Sequence, residues 1–261
     1  MSAAVAAASG PPLLELQGIT TGYGDVAVTR DVSMTFPTGL MTAIIGSNGA
    51  GKSTVIKAAA GLLRVWSGKV LASGTDVTRE APHLRLGRGI AYVPQGRIVI
   101  PEMSVRDNLE LGAHILGGDR ARIDRAIERL VAIFPVLGER LTQHAGTMSG
   151  GEQQMLAIAR ALITDPTTII LDEPSLGLSP KLVDVVFDKL VALCASGLTV
   201  VMVEQKASRA LAVAQYGYVM HTGKVAYQGE AAGLLANENV KRLFLGEVPE
   251  ELRLHEPADD I

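Results

Sequence analysis

The chain is poor in several things, and each shortage removes a class of function. Its 261 residues hold a single cysteine, Cys194, so no disulfide framework can form and a reducing cytosol suits it. Cys194 lies in the apolar run Leu190 to Ala195, where a buried, inert thiol is expected and not a nucleophile. Net charge is only −3 and no basic run dominates, which argues against nucleic acid as the main partner. No apolar run is long enough to cross a bilayer. The best candidate, Leu190 to Val203, is interrupted by Ser196 and Gly197 and flanked by Lys189 and Glu204. Met1 to Pro12 has neither a charged start nor a strong apolar centre, so it reads as a loose extension and not a signal peptide. A chain soluble on its own is expected, which still allows attachment to a membrane partner. His83, His114, His144, His221 and His255 lack metal-ligand spacing, and Trp66 reads as structural. There is no internal repeat, heptad run or low-complexity linker.

What is present is a globular composition, 48% hydrophobic and 20% charged, with length for one large domain or two small ones. Within it stands Gly46-Ser47-Asn48-Gly49-Ala50-Gly51-Lys52-Ser53-Thr54. It follows the apolar run Met41 to Ile45 and opens into Val55 to Ala60, a helix-forming segment. This glycine, lysine and serine spacing between strand and helix is the phosphate-binding P-loop pattern. Glycines let backbone N–H groups turn inward around a polyphosphate, and the helix start adds its dipole. Lys52 can reach the outer phosphates, and the Ser53 hydroxyl can hold a Mg²⁺ ion. A glycine turn at an ordinary strand–helix junction is the plain alternative; the companion motifs weigh against it. A nucleoside triphosphate is the expected ligand.

Leu13 to Gly18 and Val32 to Phe36 alternate like strands, and strands so close together suggest an antiparallel layer beside the nucleotide core. A turn is expected at Thr21-Gly22-Tyr23-Gly24. Tyr23 there is either a surface aromatic or a flat platform for an adenine ring. Further strands are expected at Lys69 to Leu71 and Gly89 to Val93. Gln95, at the exit of the second, is either a loop amide or a contact to Mg²⁺ or the γ-phosphate. From Ser104 to about Thr164 the pattern turns helical, with Ser104 and Asp107 as cap and first-turn acid, and Ile123, Ile127, Leu130 and Val131 at helical spacing. A helical block between core strands reads as a subdomain.

That block ends in Met148-Ser149-Gly150-Gly151-Glu152-Gln153-Gln154 before the helix Met155 to Leu162. Ser149 and Glu152 form a capping box. Capping leaves Gly150 and Gly151 unexplained, since glycine costs up to about 1 kcal/mol relative to alanine in a helix. Bare N–H groups and a serine hydroxyl at a helix N-terminus suit an anion, so a second phosphate-binding element is expected. Thr167 to Leu171 is an apolar strand ending in Asp172-Glu173-Pro174. Two carboxylates at the end of a buried strand are costly without a cation. Strand alternation would send them opposite ways, Asp172 toward the Mg²⁺ held by Ser53 and Glu173 toward the γ-phosphate and a water. A helix over Pro180 to Ala195, a strand over Thr199 to Val203, a hairpin at Thr222-Gly223 and a helix from Glu230 to Leu245 complete the chain.

The P-loop, the Ser149 to Gln153 signature and the Leu171-Asp172-Glu173-Pro174 strand end occur in one order. That order closely resembles the ATP-binding subunits of ABC transporters, over about Leu13 to Gly246. The resemblance implies an α/β fold, a P-loop NTPase of ABC type. Its mixed core sheet would carry an antiparallel β layer and an inserted helical subdomain at about 97–164. The ATP-binding domain would span 13–246, between a flexible extension at 1–12 and an acidic tail at 247–261. It further implies that Tyr23 stacks on adenine and that Gln95 touches Mg²⁺ and the membrane subunit. Ser149, Gly150, Gly151, Glu152 and Gln153 would cap ATP held by an opposite subunit. Gly146 to Ile158, Glu173 to Leu178 and Val203-Glu204-Gln205 are similar to the smaller ATP-binding subunit of branched-chain amino-acid importers. Relatives of that subunit serve urea, short amides and aromatic acids.

Met148 and Glu152 stand where the ABC signature usually has leucine and glutamine, and Leu178 where aspartate is usual. Gln205 stands where most members have histidine; it can donate a hydrogen bond to a γ-phosphate but carries no imidazolium charge. The implied activity is ATP hydrolysis with Mg²⁺, Glu173 orienting or deprotonating water, and Lys52 and Gln205 completing the catalytic set. The implied partners are a second ATP-binding subunit, identical or related, two transmembrane permeases and, indirectly, a solute-binding protein. The implied place is cytoplasmic, on the inner face of the membrane. A non-transport ABC ATPase would show a second cassette, coiled-coil arms or a basic patch, and a P-loop kinase would lack Ser149-Gly150-Gly151. A regulator that binds without hydrolysing is the remaining rival.

Overall fold

The most apolar segments become the centre of a six-stranded sheet. In the computed structural model, which describes residues 12–244, β3 (Met41–Gly46), β7 (Thr168–Asp172) and β8 (Thr199–Glu204) are buried at every position. Strands covered on both faces read as unbroken apolar runs, which is how they stand in the sequence. With β6 (Ile90–Val93), β9 (Tyr216–His221) and β10 (Lys224–Glu230) the order is β10-β9-β3-β8-β7-β6. All neighbours run parallel except the hairpin β9–β10. A second, antiparallel sheet has the order β2-β1-β4-β5, from β1 (Leu14–Tyr23), β2 (Val26–Phe36), β4 (Val65–Ala72) and β5 (Thr75–Asp76).

Strand alternation divides the core in two. Ile44, Ile170 and Val201 face the P-loop helix α1 (Lys52–Ala59) and the inner face of the antiparallel sheet, where Leu16, Val32 and Phe36 pack. Ala43, Ile169, Leu171 and Met202 face the helices on the other side. Those include α3 (Val105–Gly112), α4 (Arg120–Ile133), α5 (Pro135–Gly138) and α6 (Gly150–Leu162), all inserted between β6 and β7. The Ser104–Asp107 capping box starts α3, and α4 buries Ile123, Ile127 and Leu130. α7 (Pro180–Ala195) and α8 (Ala207–Val213) flank β8. Cys194 is buried, its Sγ 3.3 Å from the Gly39 carbonyl, and burial pushes its thiol up.

Three expectations are corrected. β1 does not end at Gly18: a bulge with Gly18 at φ 62 and Asp31 at φ 52 shifts the register and lets the strand continue. The turn therefore tightens to Gly24-Asp25, and Tyr23 is the last residue of β1 instead of a turn residue. The single helix expected from Glu230 to Leu245 is two, α9 (Ala231–Ala236) and α10 (Glu238–Phe244). Asn237 breaks it, because its Oδ1 accepts the N–H groups of Asn239 and Val240 at 2.8 and 3.3 Å and caps a new start. Trp66 lies on β4 and is 39% exposed. Residues 1–11 of the expected extension, Leu245 and the whole expected tail at 247–261 lie outside the described residues.

α1 ends in a Schellman turn. Gly61, at φ 77, donates to the Ala58 carbonyl, and Leu62 to that of Lys57. Beneath it sits Arg85 from α2 (Pro82–Gly87), 1% exposed. Its guanidinium donates to the carbonyls of Ala58, Ala59, Val77 and Thr78. Burial lowers its pKa, with Glu80 and Asp76 opposing. Four carbonyl partners and the negative end of the helix dipole hold this cation inside the protein.

Candidate active site

The P-loop lies between β3 and α1, where an apolar strand delivers the chain and a short helix leads it away. Gly51, at φ 94, is the N-cap of α1, and no side chain caps that end. Ser47, Asn48 and Gly49 are exposed, whereas Ala50, Lys52 and Thr54 are buried. Behind the loop the β9–β10 hairpin acts as a buttress: the Gly223 N–H donates to the Ala50 carbonyl at 3.2 Å. Lys52 is 5% exposed and donates to the carbonyls of Gly46 and Ser47, each at 3.0 Å. Burial lowers its pKa, while Glu173, then Asp172 and Glu204, pull it back up.

Two of those carboxylates, Asp172 and Glu173, lie at the end of β7. Asp172 is 1% exposed; its Oδ1 accepts from the Ser53 hydroxyl at 2.7 Å and its Oδ2 from the Tyr92 hydroxyl at 3.1 Å. Burial, followed by the Asp172 charge, pushes the Tyr92 phenol well above its ordinary value. Glu173 leaves the strand at φ 48, left-handed for a residue that rarely adopts it, at a cost of roughly 1–3 kcal/mol. The alternation expected between the pair therefore stops at Asp172. Glu173 is half-buried, and its Oε2 accepts from Gln95 Nε2 at 3.0 Å. Gln95 thus bonds Glu173 and not the Ser53–Asp172 pair.

Ser149 to Gln153 stand apart. Among the described residues no hydrogen bond or ion pair joins them to the P-loop. The capping box is formed: Ser149 N–H donates to Glu152 Oε2 at 2.8 Å, and Glu152 N–H to Ser149 Oγ at 3.4 Å. Burial acts to raise the Glu152 carboxyl, but the Ser149 bonds and the Arg140 charge outweigh it and hold it low. Gln153 donates to the Ala145 carbonyl. The glycine pair faces the ends of two flexible side chains. A Cβ at Gly150 would meet the Arg97 guanidinium at 2.4 Å, and one at Gly151 would meet the Leu182 side chain at 2.7 Å. Tyr23 is 50% exposed at the end of β1, and Gln205 is exposed just after β8.

Three residues given no role by any motif complete the neighbourhood. Tyr92 reads as one more apolar strand position, yet its hydroxyl holds Asp172. Arg97 follows Gln95 by two residues and donates to the Gly177 carbonyl at 2.6 Å. Glu204, 1% exposed at the end of β8, accepts from Ser175. The three carboxyl residues of the Val203-Glu204-Gln205 and Asp172-Glu173 strand ends are visible in the sequence, but nothing in the linear order ties Glu204 to Ser175.

Comparison with known proteins gives this arrangement its context. The family described as ABC transporter matches residues 29–176. The high-affinity branched-chain amino acid transport ATP-binding protein BraG of Pseudomonas aeruginosa is 38% identical over 234 residues, 90% of this chain and 100% of the relative. The probable branched-chain amino acid transport ATP-binding protein LivF of Archaeoglobus fulgidus is 37% identical, over 90% and 99% of the two chains. The lipopolysaccharide export system ATP-binding protein LptB of Escherichia coli K12 is 34% identical, over 90% and 97%. Among solved structures, an ATP-binding cassette of an ABC transporter in its ADP conformation superposes with a TM-score of 0.82 at 28% identity, covering 90% of this chain and 99% of that one. A nucleotide-free cassette gives 0.81 at 27% identity, over 90% and 100%. The chain belongs to the ABC transporter family, as one of its ATP-binding, ATP-hydrolysing subunits.

Proposed function

We propose that this ATPase powers import of branched-chain or related amino acids through separate membrane permeases, with Glu173 as the base that activates water. The observation that carries the chemical part is the left-handed turn at Glu173, which puts its carboxylate beside Gln95 while Lys52 feels both it and Asp172. Lys52 has three N–H donors and spends two on loop carbonyls, so the third is available to a β- or γ-phosphate. The amides of Gly46 to Thr54 add donors at the start of α1. Glu173 takes the proton of the attacking water. Gln205 donates to the γ-phosphate, and Tyr23 offers its exposed ring to adenine.

The donor set at Ser53 and Asp172 fits Mg²⁺: a hydroxyl and a buried carboxylate meet at 2.7 Å, all oxygen, as a hard cation requires. Gln95 can join them once it releases Glu173. When bound, the ion neutralises phosphate charge, which phosphoryl transfer needs more than covalent help. Ser149 to Gln153 serve the ATP of a second subunit, identical or related.

The permease meets a groove of about 320 Å³ between the inserted helices and the core, lined by Leu62, Leu86, Ile98, Ala157 and Arg160. Leu62 and Ile98 are 50% and 51% exposed, an apolar rim that suits a short cytoplasmic helix of a membrane subunit. No helix among the described residues is long and apolar enough to cross a membrane. The chain docks peripherally on the cytoplasmic face, a reading that rests on its transporter relatives. The names of BraG and LivF support the solute class. The test is uptake of labelled leucine into vesicles carrying the chain with its permeases and binding protein. Uptake that follows phosphate release and is blocked by valine supports the reading. Competition by urea, short amides or aromatic acids, and not valine, would transfer the site to those solutes.

A further inference from the structure

We propose that Glu204 is a positioning residue, which fastens the loop carrying Glu173 to the strand end carrying Gln205. The proposal rests on the roles given above to those two residues.

Glu204 closes β8, and its carboxylate accepts two bonds from one residue, the Ser175 N–H at 2.9 Å and the Ser175 hydroxyl at 2.8 Å. Both residues are sealed, Glu204 at 1% and Ser175 at 2% exposure. No ion pair within 4.0 Å neutralises it among the described residues. A buried carboxylate held only by a serine and backbone is a poor stabiliser, since an apolar pair of similar volume would serve the core better. Burial pushes the Glu204 carboxyl up, and the nearby Glu173 charge adds to that. What the carboxylate supplies is fixed direction.

That direction matters because of the residue two places before Ser175. Glu173 is left-handed, and such a backbone persists only where its surroundings over-determine it. On one side its N–H donates to the Val203 carbonyl at 3.0 Å. On the other side Ser175 is held by Glu204, the residue after Val203. Pro174 stiffens the link between them. Further along, the Gly177 carbonyl is held by Arg97. Glu173 is thus clamped on both sides to the end of β8, and Gln205 is the next residue of that strand end. A shift of Gln205 on loss of the γ-phosphate is felt by Glu173 through Glu204 and Ser175.

The test uses the full chain and measures MgATP turnover, KM and thermal midpoint for E204A, E204Q, S175A, E173Q and E173Q/E204A. E204A should lose about 10- to 100-fold in kcat with KM held within about twofold. E204Q should recover most of that loss, because an amide oxygen still accepts the Ser175 N–H. E173Q/E204A should be no slower than E173Q, since Glu204 acts through Glu173. Parental kcat in E204A overturns the proposal, as does equal loss in E204A and E204Q or a further fall in the double variant. If E204A fails to fold, S175A carries the test. A kcat lowered about threefold or more at parental KM and midpoint supports the clamp, and parental kcat overturns it. Parental turnover in E173Q would instead remove the role of Glu173. Slow E173Q beside a fully active E204A removes the role of Glu204 alone.

Discussion

At its N-terminal end α1 begins with a left-handed glycine, no side-chain cap and a buried lysine that keeps one donor in hand. At its C-terminal end it finishes with another left-handed glycine, a completed Schellman turn and a buried arginine whose bonds all go to backbone. Both ends use a glycine and a cation. They differ in where the hydrogen bonds go. The first end holds donors toward the P-loop, where a phosphate would lie, and the second turns its donors onto helix-end and loop carbonyls, of which Ala58 and Val77 also accept from Gly61 and Glu80. One helix therefore separates function from stability along its axis. Substitutions at the two ends should separate them as well.

The largest effect belongs to the N-terminal end. Lys52→Ala should lower turnover by about 10²- to 10³-fold, the usual loss for a single charge-stabilising donor. Its urea midpoint should stay close to the parent's, because burial of the ammonium already offsets what its two loop bonds contribute. A midpoint that collapses with the activity would erase the contrast. Next comes the other end. Arg85→Met leaves the carbonyls of Ala58, Ala59, Val77 and Thr78 without that donor and should cost about 3 kcal/mol or more. Urea unfolding reads this loss, while turnover per folded molecule should change far less than in Lys52→Ala. Gly61→Ala is smaller, about 1–2 kcal/mol for a left-handed alanine, with added crowding against Arg85 Nε at 2.8 Å.

The smallest effect is one of pH. The folded Glu204 carboxyl titrates above the unfolded one, chiefly through burial. The native state then binds more protons, so this group's contribution is fully present below the unfolded pKa and is lost as pH rises through the folded value. Glu204→Gln, uncharged throughout, should remove that segment. The parent's midpoint minus the variant's should fall as pH rises across the window and level off above it. A flat difference would place Glu204 in a less buried setting.

The two ends of α1 were unequally legible. The P-loop is readable because phosphate chemistry demands a particular local spacing, and Ser53, Asp172 and the Ser149 cap follow from strand ends and helix starts. Arg85 is not readable. Its partners are four carbonyls, and carbonyls carry no side-chain identity. Glu204 and Tyr92 are hidden for a related reason. Each sits in an apolar strand, and its partner, Ser175 or Asp172, comes from a neighbouring strand end that only the sheet order brings near. The core strands were plain from their continuous apolar runs. Gly18 misled because a glycine in a strand can end it or absorb a bulge, and only the register with Asp31 decides. Asn237 was overlooked because the apolar spacing runs on across it, although its side chain is a strong cap.

On the proposed function, the end of β7 and the N-terminal end of α1 form one hydrolytic site with Glu173 as its base. The direct measurement is Glu173→Gln, with bound ATP and released phosphate followed on the same sample. ATP binding should match the parent, while phosphate release falls by about 10²-fold or more. Phosphate release at the parental rate with ATP bound would contradict it.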